Sequence, residues 1–121
     1  MAHDTALMVE WGMPTPGRET KALEEFFSHV QWWSELKGKG RIGEFRVYGT
    51  NTGPIGSSAG FVVFEGSDKQ IGEFLASDDF RRSVSRVSLI TSSLSVRTLD
   101  TGDTMMKRMQ IYGTALKEMG I

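Results

Sequence analysis

The segment RIGEFRVYGTNTGPIGSSAGFVVFEG (residues 41–66) holds two strand-like runs, RIGEFRVYGT and SAGFVVFEG, joined by the turn-rich loop NTGPIGSS. Runs rich in β-branched and aromatic residues and separated by glycine, proline and serine are typical of paired strands. The segment therefore predicts a β-hairpin with a longer loop. Helical patterns lie on both sides of this hairpin, and the combination predicts an α+β fold.

The residues before the hairpin predict one strand and one helix. TALMVEWGM (residues 5–13) alternates apolar Leu7, Val9, Trp11 and Met13 with the residues between them, which is the period of a strand. From Glu19 to Lys37 apolar residues recur at helical spacing until the glycines of KGKG, so a long first helix is expected.

The residues after the hairpin predict a broken helix, a strand and a last helix. SDKQ supplies Ser67 and, three residues later, Gln70, the pair that forms a capping box. A new cap is expected at Ser77, and SSLSVRTL should return as a fourth strand. Asp103 is the expected cap of a C-terminal helix that carries several methionines. The predicted order is β-α-β-β-α-β-α.

This order is that of a ferredoxin-like fold, a four-stranded antiparallel sheet with two helices on one face. The first and third strands are the most apolar and should be central, while charged residues place the second and fourth at the edges. One face should lie under the helices, with Gly43, Phe45, Val47, Val62, Phe64, Leu94 and Val96. The other is half apolar and half charged, with Met8, Glu10, Ile42, Glu44, Arg46, Tyr48, Phe61, Val63, Glu65 and Arg97.

Composition excludes several classes of protein. The 121 residues fit a single domain over residues 1–121, and a net charge of -1 argues against nucleic acid or an anionic membrane as a partner. GFVVF (residues 60–64) matches the end of an RNA-recognition signature, but the basic residue of that signature is replaced by Ser57. Without cysteine, and with two histidines, no metal is expected. We expect a cytoplasmic protein, since no long apolar run or leader pattern occurs.

The first helix contains FFSHVQWWSEL (residues 26–36), whose histidine and tryptophans invite a catalytic interpretation. Helical geometry predicts Trp33 on the buried stripe, His29 at its edge and Trp32 on the outer side. Glu25 lies one turn before His29, so that its carboxylate could orient the imidazole as a general base. A surface histidine beside a glutamate is the alternative, and an outward Trp32 favours an interface or the edge of a pocket.

The chain resembles the dimeric α/β-barrel superfamily, which includes proteins like the antibiotic-biosynthesis monooxygenases. The resemblance lies in the element order, the aromatic first helix, FLASDDFRRSVSRV (residues 74–87) and the last strand with its trailing helix. It implies a homodimer that packs the mixed sheet faces together, and a pocket between the sheet and the first two helices. Haem-degrading members use an asparagine on the first strand. This chain has its single asparagine at Asn51, so no cofactor is expected.

These considerations predict a pocket that binds a small apolar or aromatic molecule. His29 is the candidate catalytic residue, and Trp11, Trp33, Arg46 and Tyr48 are the candidate ligand-binding residues. Phe61 and Val63 are expected at the dimer interface. Two functions remain open: a cofactor-independent monooxygenase acting on an aromatic or polyketide-like substrate, and a non-catalytic ligand-binding or assembly protein of the same fold.

Overall fold

The computed structural model describes residues 4–53 and 58–121. The middle of the predicted hairpin loop, residues 54–57, lies outside the described residues. The elements are β1 (Thr5–Trp11), α1 (Glu19–Gly38), β2 (Glu44–Gly49), β3 (Gly60–Gly66), α2 (Asp68–Ala76), α3 (Asp78–Ser88), β4 (Leu94–Asp100) and α4 (Gly102–Met119).

The four strands form one antiparallel sheet in the order β2-β3-β1-β4. The predicted α+β class and the βαββαβ order are therefore confirmed, with β1 and β3 in the centre. The predicted broken helix consists of two helices, α2 and α3, and α4 follows the last strand.

Serine side chains set the starts of α2 and α3. The Ser67 hydroxyl accepts a hydrogen bond from the Gln70 N–H at 3.2 Å, and the Gln70 side chain accepts one from the Ser67 N–H at 2.9 Å. The predicted capping box is thus confirmed. Ser77 accepts from the N–H of Phe80 at 3.1 Å and starts α3, as predicted. The expected cap at Asp103 is wrong, since α4 begins at Gly102 with Thr101 at the N-cap position.

The core lies between the helices and the inner face of the sheet. Phe64 of β3 is at its centre and is almost fully buried. Its ring makes edge-to-face contacts with Trp33 of α1, 5.4 Å away between ring centres, and with Phe74 of α2, 5.0 Å away. Phe80 of α3 extends this chain of rings, 5.0 Å from Phe74. Such contacts join α1, α2 and α3 to β3.

Ile42 departs from the predicted assignment of faces. The period of two would place it on the outer face, but its side chain is only 1% exposed and belongs to the core. The strand begins at Glu44, so the alternation does not extend back to residue 42. The N–H of Arg41 donates to the carbonyl of Leu36, which keeps the connection against the end of α1 and turns Ile42 inward.

The outer face of the sheet carries a mixture of aromatic and charged side chains. Tyr48 and Phe61 stack there with ring centres 4.9 Å apart, and Arg97 pairs with Glu10 at 3.1 Å. Helix α4 comes after β4 in the chain. All of its residues are described, and none of them is buried. Its exposed apolar residues are Met105, Met106, Met109, Ile111, Tyr112 and Met119. Within the described residues, every helix is too short or too polar to cross a bilayer.

Candidate functional site

A cavity of about 430 Å³ lies between α1, α3 and the inner face of the sheet. This volume is in the range of about 300–1,000 Å³ that small-molecule sites occupy. All three tryptophans of the chain contribute to its wall. The lining comprises Val9, Trp11, Gly12, Met13, Pro14, Glu19, Ala22, Leu23, Glu25, Phe26, His29, Trp32, Trp33, Ala59, Phe64, Phe80, Ser83, Val84, Val87, Ile90, Thr91 and Leu94.

The cavity exists because the N-terminal half of α1 does not pack closely on the sheet. Leu23 is one of the apolar residues that recur at helical spacing in this helix, yet it is 58% exposed and borders the cavity. The C-terminal half is different, since Trp33 and Leu36 are buried in the core. The cavity occupies the space that the N-terminal half of α1 would fill if it packed closely on the sheet.

His29 lies at the transition between these two halves and is buried, with 9% of its surface exposed. Its Nδ1 atom is 2.7 Å from the backbone carbonyl oxygen of Glu25, one helical turn earlier. Its Nε2 atom is 2.6 Å from the hydroxyl of Ser83 on α3. The histidine was predicted at the edge of the buried stripe, but α3 packs over it and completes its burial.

The carboxylate of Glu25 is held by Arg86 rather than by His29. Both oxygens of Glu25 contact the Arg86 guanidinium, with Nε 3.2 Å from Oε2, while Oε2 is 3.7 Å from His29 Nδ1. The hydrogen bond from Arg86 lowers the pKa of Glu25, and the charges of Arg86, His29 and Lys21 act in the same direction. Burial of the carboxylate raises the pKa and opposes part of this effect. The predicted role of the carboxylate in orienting His29 is therefore filled mainly by the backbone carbonyl of the same residue.

The structure brings three of the predicted site residues together and separates the other two. Trp11, His29 and Trp33 all line the cavity. Arg46 and Tyr48 pair with Val63 and Phe61, the outward-facing residues of β3, and so lie on the opposite face of the sheet. The single site predicted to contain all of them is thus divided between two faces. Phe61 and Val63 lie on the outer face, where they were expected.

Trp32 was predicted to face outward, and this prediction is wrong. Its ring packs on Phe74 of α2 with centres 5.8 Å apart, and it is half-buried at the cavity wall. Helical spacing gives the direction in which a side chain leaves its own helix, but it does not show whether a second helix packs on that side. Helix α2 supplies the contact.

Ser83 and Arg86 are polar residues of the site that the sequence did not predict. A signal for Ser83 was present, because it lies three residues after Phe80 and four before Val87, on the apolar face of its helix. A serine on such a face indicates a buried partner or a cavity. Arg86 gave no comparable signal, since its partner is 61 positions away in the chain.

The chemistry of this arrangement is that of one buried imidazole and one hydroxyl at the wall of an apolar cavity. A neutral histidine can accept a proton, and tryptophan and phenylalanine rings provide flat apolar surfaces for an aromatic molecule. The described residues contain no group of three or more histidine, cysteine, aspartate or glutamate side chains that could hold a metal ion.

The sequence matches no protein-family model and no curated protein. Solved structures do match. A dimeric protein of unknown function from Bacteroides fragilis, described as ferredoxin-like, superposes with a TM-score of 0.60 at 12% identity, over 80% of this chain and 95% of that one. This chain has the same fold.

Two further matches carry functional descriptions. One, from Caulobacter crescentus, is described as an antibiotic biosynthesis monooxygenase whose activity is itself only proposed; it has a TM-score of 0.57 and 11% identity, over 84% of this chain and 92% of that one. The other, from Bacteroides thetaiotaomicron, is a protein of unknown function suggested to be an oxidoreductase, with a TM-score of 0.56 and 10% identity, over 83% of this chain and 100% of that one. At such identities the likeness is one of fold.

Proposed function

We propose that the chain binds a small aromatic molecule in the cavity under α1. The observation that carries the proposal is the composition of the cavity wall, where Trp11, Trp32 and Trp33 surround a space with one histidine–serine pair. Binding sites of this kind are mostly apolar and use a few polar groups to orient the ligand. The size of the cavity supports a ligand of one or two fused rings.

We propose further that the bound molecule is oxidised by molecular oxygen without a cofactor. An electron-rich phenol whose proton passes to the protein becomes a phenolate, which can reduce oxygen. One oxygen atom enters the ring at the para carbon and the other leaves as water with the two hydrogens that the phenol loses. The product is a quinone, and the phenol supplies all four electrons. His29 is the base in this scheme.

The folds of the Caulobacter crescentus and Bacteroides thetaiotaomicron proteins, with their oxidative descriptions, support this direction without extending to a substrate. The test uses 1-naphthol, whose oxidation to 1,4-naphthoquinone consumes one molecule of oxygen. We expect oxygen uptake and quinone absorbance above the rate in buffer, and their loss in His29→Gln. Uptake equal to buffer, in a protein whose tryptophan fluorescence is quenched by 1-naphthol, would contradict the oxygenase and retain the binding site.

The hydrogen bonds of His29 favour a second candidate, a non-catalytic binding protein. Both ring nitrogens have partners within the protein, so the histidine is satisfied without any ligand. In that case 1-naphthol should quench the fluorescence with equal affinity in the wild type and in His29→Gln, and neither should consume oxygen.

We also propose that two copies of the chain pack through the outer faces of their sheets. Tyr48, Phe61 and Val63 give this face an apolar centre, and the charges of Glu10 and Arg97 are paired with each other. A mixed face of this kind suits a two-fold interface, in which each side chain meets the same surface of the other copy. The Bacteroides fragilis neighbour is described as dimeric, which supports the proposal.

A further inference from the structure

The hydrogen bonds of His29 determine which atom of the site can meet a ligand. A carbonyl oxygen can only accept, so Nδ1, 2.7 Å from the carbonyl of Glu25, carries the hydrogen of the neutral ring. Nε2 is then an acceptor, and the Ser83 hydroxyl 2.6 Å away donates to it. A neutral imidazole has one donor and one acceptor. Both are in use, so His29 has no hydrogen-bonding capacity left for a ligand.

Ser83 has the capacity that His29 lacks. A serine hydroxyl has one hydrogen, which Ser83 donates to His29, and two lone pairs that can accept. Among the described residues, His29 is the one hydrogen-bond partner of this hydroxyl. Ser83 is half-buried and lines the cavity between Phe80 and Val87 of its own helix. Its lone pairs are therefore the acceptor that the pair offers to a molecule in the cavity.

We propose that Ser83 is the residue that contacts the ligand, and that it selects an aromatic molecule with an acidic hydroxyl. The inference rests on the proposed binding of such a molecule in this cavity. The ligand O–H donates to the Ser83 oxygen while the Ser83 O–H donates to Nε2 of His29. A ligand that can only accept, such as an ether, competes for the single hydrogen of Ser83 and leaves Nε2 without a donor, which is unfavourable in a buried site.

The same geometry provides a path for the ligand proton. As the ligand proton moves to the Ser83 oxygen, the original hydrogen of Ser83 moves to Nε2, so that a phenolate and an imidazolium form and the serine is unchanged. The positive charge on the ring is stabilised by the Glu25 carbonyl at 2.7 Å from Nδ1 and by the Glu25 carboxylate at 3.7 Å. Arg86 keeps that carboxylate ionised. Ser83 thus transfers the proton, and His29 acts on the ligand through it.

The test compares two molecules that differ in this one donor, 4-nitrophenol and its methyl ether 4-nitroanisole. Binding is followed by quenching of tryptophan fluorescence, and ionisation of bound 4-nitrophenol by the yellow absorbance of its phenolate. We expect the wild type to prefer 4-nitrophenol by about tenfold, the ratio that corresponds to one ordinary hydrogen bond. Ser83→Ala should lose this preference and the gain in phenolate, with its affinity for 4-nitroanisole within about twofold of wild type.

Two further variants serve as controls. Ser85→Ala makes the same change at an exposed position of α3 and should behave as the wild type. Ser83→Cys is the substitute test if the alanine variant does not fold. It keeps a side chain of similar size with a weaker hydrogen-bonding group, and should reduce the preference for 4-nitrophenol at least threefold. A wild-type preference that persists in Ser83→Ala would overturn the role of Ser83 and leave the binding proposal standing. Failure of both molecules to bind the wild type would overturn both.

Discussion

The guanidinium of Arg86 on α3 holds the carboxylate of Glu25 on α1, although 61 positions separate the two residues in the chain. Both helices contribute to the wall of the cavity, and this ion pair joins them beside the His29–Ser83 hydrogen bond. Glu25 is buried while Arg86 is half in solvent, with 53% of its side chain exposed. The pair therefore holds α1 and α3 together at the edge of the site.

Replacement of Glu25 by glutamine should make the protein less stable at neutral pH and less sensitive to acid. Because the hydrogen bond from Arg86 lowers the pKa of Glu25, the folded state binds fewer protons than the unfolded state. The resulting stability is present above about pH 4.3, the ordinary value for glutamate, and is lost as the pH falls through the lower folded value. We expect a loss of about 1–2 kcal/mol at pH 7 in Glu25→Gln, shrinking towards low pH.

Urea unfolding at a series of pH values measures this difference. Glu24→Gln is the matched control, because the side chain of Glu24 is 65% exposed and its contact with Lys21 is 3.9 Å long. That variant should follow the wild-type curve. Parallel curves for Glu25→Gln and the wild type over the whole range would contradict a lowered pKa at Glu25.

Truncation of Trp33 should destabilise the fold whatever the function of the site. The side chain is 6% exposed and its ring contacts Phe45 and Phe64. Trp33→Ala should cost about 3–5 kcal/mol through lost burial and the space left behind. Phe27→Ala is the control, because it removes an aromatic ring at a position that is 62% exposed. It should change the free energy of unfolding by less than about 0.5 kcal/mol. Thermal unfolding followed by circular dichroism gives both values, and similar losses in the two variants would be inconsistent with this packing.

Gly60 is the glycine whose replacement should be most disruptive near the site. A Cβ atom there would lie 2.6 Å from the carbonyl oxygen of Tyr48 and 3.1 Å from the ring of Trp11, which lines the cavity. Gly60→Ala should therefore cost about 1–3 kcal/mol and displace the indole. Gly72→Ala is the control, since its Cβ meets nothing within 4 Å inside α2 and should stabilise the helix by about 0.5–1 kcal/mol. Chemical denaturation that ranks the two variants in the opposite order would refute this account.

A lysine at Phe61 or Val63 should weaken the proposed dimer. Burial of an unpaired ammonium in the centre of the interface costs several kcal/mol, unless a nearby carboxylate such as Glu65 compensates it. Phe61→Lys combined with Glu65→Ala is the more severe change. Size exclusion with light scattering should give a dimer for the wild type at micromolar concentration and a shift to monomer in the variants. Gln31→Lys, at an exposed position of α1, should remain dimeric; a monomeric wild type would refute the interface.

Features that depend on neighbours in the sequence were predictable. The capping box of Ser67 and Gln70 and the break at Ser77 follow from short-range hydrogen bonds, and the structure contains them. The alternation along β3 likewise identified its inner and outer residues. The alternation along β2 assigned Arg46 and Tyr48 to the outer face, so their grouping with Trp11 in one pocket conflicted with a pattern that the sequence already contained.

Features that depend on packing between distant segments were not predictable in the same way. His29 and Trp32 look like edge and outer residues on an isolated helix, and they are covered only because α3 and α2 pack beside α1. The same holds for Glu25, whose partners along α1 are Lys21 and His29 and whose strongest partner in the fold is Arg86. The sequence of a helix predicts which residues share a face, but the element that packs on each face depends on the tertiary arrangement.

The unequal packing of α1 has a consequence for how the helix opens. Its C-terminal half is fixed by Trp33 and Leu36 in the core, so we expect the amide hydrogens beside these residues to exchange with solvent only in large opening events of the fold. Its N-terminal half has few buried side chains and borders the cavity, so we expect its backbone hydrogen bonds to open in separate, less costly events. One continuous helix of 20 residues should thus open in two units, and the less stable unit is the one that lines the cavity.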